Sequence, residues 1–388
     1  SALMPKNFQR DRFFWVVAVQ TAIVNFYLGG FGPAQSLLRA DQGTSLTIAG
    51  LHGTAMGVAS IFAGWANPRI AHRFGRSRAS WIGLSIFITG LTLFVISPPV
   101  YITIPATMIT GFGTSVVINT MLTKMSHHYG KAAEVAIPQA NGIASLGFVI
   151  GTALIGTIAI AFPNLWRVGL LLAVPVALVL FLVGREKDQE EHVPDEDGPQ
   201  GGKLSRSFWI AWVGFIACIS SEFAISFWAA ALLKDRVGST AAISTVAIVA
   251  MGTGMGIGRW YGGLVLGRLK LDTQLLTVIT LQFIGFVGFW LSHNMILSLF
   301  CLLAVGIGIS MQFALSSIRL IGLSDGRPDL AIGRASLAAG IAIAGAPFLL
   351  GLLGDNFGIS RAYIMVFVLI AIAFVIVKVI PSKAQEAA

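Results

Sequence analysis

Charge is the scarce ingredient of this sequence. Only 11% of its 388 residues are Asp, Glu, Lys or Arg, where a soluble domain carries about 25%. A chain so poor in charge cannot present a solvated surface all round, so most of it faces something other than water. Cysteine is scarce too. Cys218 and Cys301 both sit inside apolar runs and belong to no motif, which excludes a disulfide framework and a thiolate zinc site. His127 and His128 are adjacent, and neighbouring side chains on a helix diverge, so no metal site is expected. The glycine-rich stretch Gly252 to Gly258 has no Lys-Ser/Thr after it; it reads as a helix-packing strip rather than a phosphate loop. No nucleophile–base pair stands out among so few polar residues. Neither an enzyme nor a cofactor is expected, and nothing suggests direct drive by ATP.

What is present is apolar length. Hydrophobic residues make up 55% of the chain and glycine contributes 44 residues; the mean hydropathy is +0.81. A membrane span needs about 20 mostly apolar residues. Twelve stretches qualify, at 13–35, 46–66, 79–97, 101–123, 135–160, 165–183, 207–233, 240–266, 273–292, 295–318, 331–353 and 361–380. The segment Ser1–Arg12 is polar and basic, and the run after it is long enough to cross, so that run is read as span 1 and not as a cleaved leader. The predicted fold class is an all-α membrane protein, twelve transmembrane helices in two six-helix bundles.

The net charge of +9 does not point to nucleic acid, because the cations sit in short bridges between apolar runs. If the N-terminus is cytoplasmic, most of them fall on the inner side, and the outer side keeps Arg39, Arg167, Lys234, Arg236 and Arg361. The positive-inside rule then places both termini in the cytoplasm. A multi-pass protein of the cell's inner (plasma) membrane, surrounded by lipid and monomeric, is the expectation. An acidic, Pro- and Gly-containing segment interrupts the pattern at mid-chain and reads as a cytoplasmic linker. The expected organisation is a bundle over 1–184, a linker over 185–206 and a bundle over 207–388.

The two halves resemble each other. Thr54 to Gly64 matches Thr253 to Gly263 at an offset of 199, while Gly111-Phe-Gly113 matches Gly306-Ile-Gly308 at 195. Ala136 to Ala140 matches Ala331 to Ala335, and Leu37-Leu38-Arg39 matches Leu232-Leu233-Lys234, both again at 195. Between spans 2 and 3 the chain reads Pro68-Arg69-Ile-Ala-His72-Arg73-Phe-Gly75-Arg76-Ser-Arg78. On these features the sequence resembles the major facilitator superfamily, whose loop at this place reads Gly-x-x-x-Asp-Arg-x-Gly-Arg-Arg. The core Arg73, Gly75 and Arg76 is kept; Pro68 and His72 replace the glycine and the aspartate. The second half has a reduced copy ending at Arg268. The resemblance implies that Arg69, Arg73, Gly75, Arg76 and Arg268 belong to a cytoplasmic gate, and that spans 1, 4, 7 and 10 border a cavity between halves that rock about it. The drug-antiporter pattern of span 5 is absent: Gly147-Phe-Val-Ile-Gly151-Thr152 lacks its proline. Glu222 with Arg259 gives a faint likeness to the sugar-permease-like branch.

Charge inside a membrane is costly and needs a reason. Glu222 lies mid-way along span 7, about 22 Å from Ser207 at 1.5 Å per residue, and is the candidate protonation site. Arg259 in span 8 is about 10 Å from the cytoplasmic end and is a candidate clamp for an anionic group. Around them, Asn25, Tyr27, Thr110, Thr114, Asn141, Gln312 and Trp228 are candidate substrate contacts, weighed against the hydrogen bonding and packing that such residues also supply between helices. The expected function is secondary active transport of a small polar or anionic organic solute by alternating access, with the proton as coupling ion. The alternatives are efflux of amphipathic compounds by proton antiport and, in another class, a non-transporting membrane sensor or scaffold.

Overall fold

A computed structural model of the chain describes residues 8–129, 132–185 and 201–382; the acidic core of the expected linker lies outside them. Among the described residues, twelve helices are long and apolar enough to cross a membrane: Arg12–Phe31, Leu46–Asn67, Arg76–Ile96, Val100–Tyr129, Ala136–Ala161, Pro163–Gly184, Arg206–Val237, Ala241–Leu266, Leu271–Leu291, Met295–Gly322, Gly333–Phe357 and Ile359–Val379. They are numbered spans 1 to 12. Their order puts Phe8 and Ser382 on one face, here called the terminal face; the opposite one is the distal face. The described residues contain no strand, as expected where each span must satisfy its own backbone.

Local chemistry sets the ends. Asp11, Ser45, Ser205, Thr240 and Asn294 cap spans 1, 2, 7, 8 and 10 by accepting a bond from a first-turn N–H, as short polar side chains do at helix starts. The first span stops at Phe31, earlier than its apolar run suggests. Pro33 follows, and a separate helix, Gln35–Gln42, leads to span 2. Gly75 joins spans 2 and 3 at φ +83°, a conformation that favours glycine, which accounts for the Arg-x-Gly-Arg order there.

The offset of 195 seen in the sequence is also a repeat of contacts, whereas the match of 54–64 to 253–263 at 199 is one helical turn out of register, since Met56 corresponds to Met251. A methyl on Gly90 would lie 2.7 Å from Thr110 N, and one on Gly285 would lie 2.9 Å from Val305 N. Gly113 meets Phe87 as Gly308 meets Gln282, and Gly111 meets Met56 as Gly306 meets Met251. Each pair of positions differs by 195, so spans 1–6 and 7–12 pack alike. Small residues allow this approach because helices in lipid gain by close packing rather than by escape from water.

The bundles meet along two seams, span 2 on span 11 and span 5 on span 8. Gly57 lies so close to Ala344 that a methyl there would come within 2.2 Å of its N; the related Gly252 lies against Phe148 and Val149. Thr54 Oγ1 donates to Ala344 O (2.8 Å) across the first seam. Inside the second bundle the buried Arg319 donates to Asp272 Oδ1 (2.6 Å) and Ile380 O (2.7 Å), tying the terminal-face ends of spans 9, 10 and 12 together.

Candidate functional site

Span 8 brings Arg259 to the seam with span 5. Its Nη1 donates to Ser145 Oγ at 2.7 Å, and Ser145 donates in turn to Asn141 O at 3.1 Å. This bond joins the two bundles. It uses one of the five N–H donors that a guanidinium offers. Glu222 is half-buried on span 7, and its carboxylate makes no hydrogen bond or ion pair among the described residues. No hydrogen bond or ion pair joins Glu222 to Arg259 among the described residues; Arg259 is held instead by Ser145. One acid on span 7 and one base on span 8 are thus both half-buried, each with bonding capacity to spare among the described residues.

Asn141 and Asn25 lie near the Arg259–Ser145 bond, on span 5 and beside it. Asn141 is half-buried and its amide makes no bond among the described residues. Asn25 Nδ2 donates to Thr21 O (2.9 Å), and its Oδ1 accepts no bond among the described residues. Asn25 follows Ala22, which packs on Gly147, and precedes Phe26, which packs on Gly151. It therefore sits beside span 5, about one turn from Ser145.

The other sequence candidates lie elsewhere. Trp228 is fully buried, and its Nε1 donates to Pro347 O at 2.8 Å. Tyr27 is packed among Phe31, Phe87 and Phe94. Thr110 returns its hydroxyl to Thr107 O (2.9 Å), and Thr114 is buried beside it on span 4. Gln312 bonds Gln282 Oε1 (2.6 Å), and Gln282 bonds Ser221 Oγ (3.1 Å), in a buried chain. A stripe pattern cannot separate these from open positions, because packed and accessible polar residues share one helical period.

The residues expected to form a gate lie at the terminal-face ends of spans 2, 3 and 8. Arg69 stacks on Trp65, 3.8 Å from the ring centroid, and Arg73 lies over Phe74 at 5.3 Å. Arg268 is exposed. Among the described residues none of Arg69, Arg73, Arg76 and Arg268 makes an ion pair. The distal face is different. Phe31 of span 1 meets Phe227 of span 7 edge-on at 5.9 Å. Asp355 at the end of span 11 accepts from Leu46 N (3.0 Å), from Thr47 N (2.7 Å) and from Thr47 Oγ1, the first residues of span 2. A carboxylate on a helix N-terminus is favoured by the free N–H groups and the helix dipole, so this is a clasp between the bundles.

Sequence reasoning missed the clasp because Asp355 and Thr47 are 308 positions apart. It missed His52 as well, a buried imidazole in span 2 whose nitrogens meet Ala49 O (2.8 Å) and Thr103 Oγ1 (2.9 Å). Arg167, placed at the outer boundary by sequence, is buried and lies 3.8 Å from Asp41.

Two related six-helix bundles, joined at paired seams and holding ionisable groups between them, define a membrane carrier architecture. The chain matches the family model of the Major Facilitator Superfamily over residues 17–324 and belongs to that family. Among solved structures, the human organic anion transporter MFSD10 (TETRAN) superposes with a TM-score of 0.68 at 15% identity, over 94% of this chain and 99% of that one; at this identity the likeness concerns the fold. No curated protein matches the sequence.

Proposed function

We propose that this chain is a secondary active transporter that moves a small organic anion, or a polar solute with an anionic group, together with a proton. The bundles over 1–184 and 207–388 would rock about the two seams, exposing the space between them to each side in turn. What supports this is a half-buried Glu222 whose carboxylate makes no hydrogen bond or ion pair among the described residues, together with a half-buried Arg259 at the seam between the bundles whose guanidinium is only partly used there. With Glu222 ionised the pair is neutral. Adding an anion makes the site negative unless Glu222 takes a proton, so anion and proton are favoured together in a poorly hydrated interior. Arg259 would hold the anionic group with its remaining N–H donors, with Asn25 and Asn141 offering neutral contacts. The human structural neighbour is by name an organic anion transporter, which agrees with this substrate class. Efflux of amphipathic compounds has less support, since Phe227 and Trp228, its aromatic wall, are buried in packing.

The test is transport in proteoliposomes under an imposed pH gradient, across a panel of organic anions, cations and neutral solutes. One pH unit supplies about 1.4 kcal/mol per proton, enough for tenfold accumulation at one proton per solute. Glu222→Gln is expected to keep solute exchange and lose the response to the gradient. Undiminished coupling in that variant refutes the assignment. Arg259→Lys, which keeps the charge but not the planar fork, is expected to lower anion flux at least tenfold; unchanged flux would remove Arg259 from the site.

A further inference from the structure

On the distal face, far from Glu222 along the chain, the ends of spans 11 and 12 enclose an open groove of ≈ 460 Å³. Leu353 and Phe357 line it from span 11, and Ala362, Ile364, Met365 and Val368 line it from span 12, with Arg361 completing the wall. Gly358, at φ +85°, lets the chain reverse between the two spans, so consecutive helices form both sides. Phe357, Ile364 and Val368 are exposed by 61%, 50% and 52%. On helices that cross a bilayer, such surface meets acyl chains and not water.

The groove has a polarity along its length. Val368 follows Arg361 by seven residues, about 10 Å of helix rise, so the trough runs from the distal membrane boundary into the hydrocarbon. Arg361 stands at its polar end and makes no hydrogen bond or ion pair among the described residues. Arg167 lies 3.8 Å from Asp41 and Arg236 lies over the Trp290 ring at 5.0 Å; Arg39 and Lys234 also make no hydrogen bond or ion pair among the described residues, but Arg361 is the cation that lines the groove. An apolar trough of this size below one uncommitted guanidinium matches a molecule with a hydrocarbon chain under a phosphodiester. Arginine favours phosphate because its planar fork meets two oxygens at once.

We propose that the groove between spans 11 and 12 is a phospholipid site, with an acyl chain along Leu353, Phe357, Met365 and Val368 and the phosphate on Arg361. An anionic headgroup is preferred over phosphatidylcholine, whose own ammonium competes for the phosphate. The test uses the full chain in liposomes of phosphatidylcholine containing a little phosphatidylglycerol with a diazirine in its acyl chain. After illumination, labelled peptides are mapped by mass spectrometry. Label is expected to concentrate on 353–368, at least threefold above the lipid-facing stretch 172–183. Unlabelled phosphatidylglycerol should displace it better than phosphatidylcholine does. Arg361→Gln should reduce the excess, and Met365→Trp, which fills the trough without touching the charge, should do the same. Uniform labelling of both stretches, insensitive to either variant, means annular lipid only and overturns the proposal. Equal displacement by the two lipids overturns its headgroup assignment.

Discussion

Replacing Asp355 by Asn should loosen the distal face while leaving the fold intact. The side chain is exposed and touches no core residue, so its work lies in the clasp on span 2. Asn is nearly isosteric and keeps one acceptor oxygen. It loses the negative charge at the helix N-terminus and one of the two carboxylate acceptors. A charge at a helix end is worth about 0.3–1 kcal/mol, and loss of a capping acceptor costs about 1 kcal/mol. Exposure to solvent discounts the sum, so about 1–1.4 kcal/mol is the expected cost, or a shift of five- to tenfold toward the distally open arrangement. Spin labels at Ser97→Cys and His293→Cys, one in each bundle on the distal face, with Cys218 and Cys301 replaced by Ala, would report it by pulsed electron resonance. The longer-distance population should rise five- to tenfold in Asp355→Asn. Thr47→Val, which removes only the hydroxyl bond, should give a smaller rise. Identical distance distributions in wild type and Asp355→Asn would refute the clasp.

Two further predictions concern packing and the start of span 1. Gly57→Val places side-chain atoms into the Ala344 and Gly340 backbone of span 11 and should abolish transport or assembly, whereas Gly263→Ala, on a glycine with open space at its Cβ position, should be tolerated; flux and thermal melting in detergent compare them. Asp11 accepts bonds from Tyr129 and His128 and from Phe14 N. Burial raises its pKa, and these bonds outweigh that, holding the carboxyl below its usual value. A lowered folded-state pKa means stability present above the unfolded carboxylate value of about 3.9 and lost as pH falls through the lower folded one. Asp11→Ala should therefore melt earlier than wild type at pH 7, by about 1 kcal/mol for the lost cap, and the gap should close toward pH 3. A gap that stays constant over that range would show that ionised Asp11 is not the source.

Most of the architecture was legible because a bilayer makes sequence unusually explicit. Each span declares itself by length and apolarity, while its ends, set by capping residues and by turns such as Gly75, came from the structure. The repeat could be read because equal packing demands small residues at equal positions, and the offset of 195 returns in the contacts of Gly90 and Gly285. The polar site was less legible. Tyr27 and Glu222 occupy the same position of the repeat, 195 residues apart, yet Tyr27 is sealed among rings while Glu222 remains half-buried and unpaired. Thr110, Gln312 and Trp228 drew attention by residue type alone, and the structure commits each of them to packing.

The sequence by itself determined the solvent of this protein, the number of crossings, the two-fold relation of its halves and the rarity of charge at mid-membrane. Those properties follow from composition and period along one chain. Only the tertiary structure decided which polar groups stay open, that Arg259 reaches Ser145 of the other bundle, and that Asp355 closes on span 2. Such bonds join residues 114 and 308 positions apart, and their geometry is set by how two packed bundles face each other rather than by any local pattern.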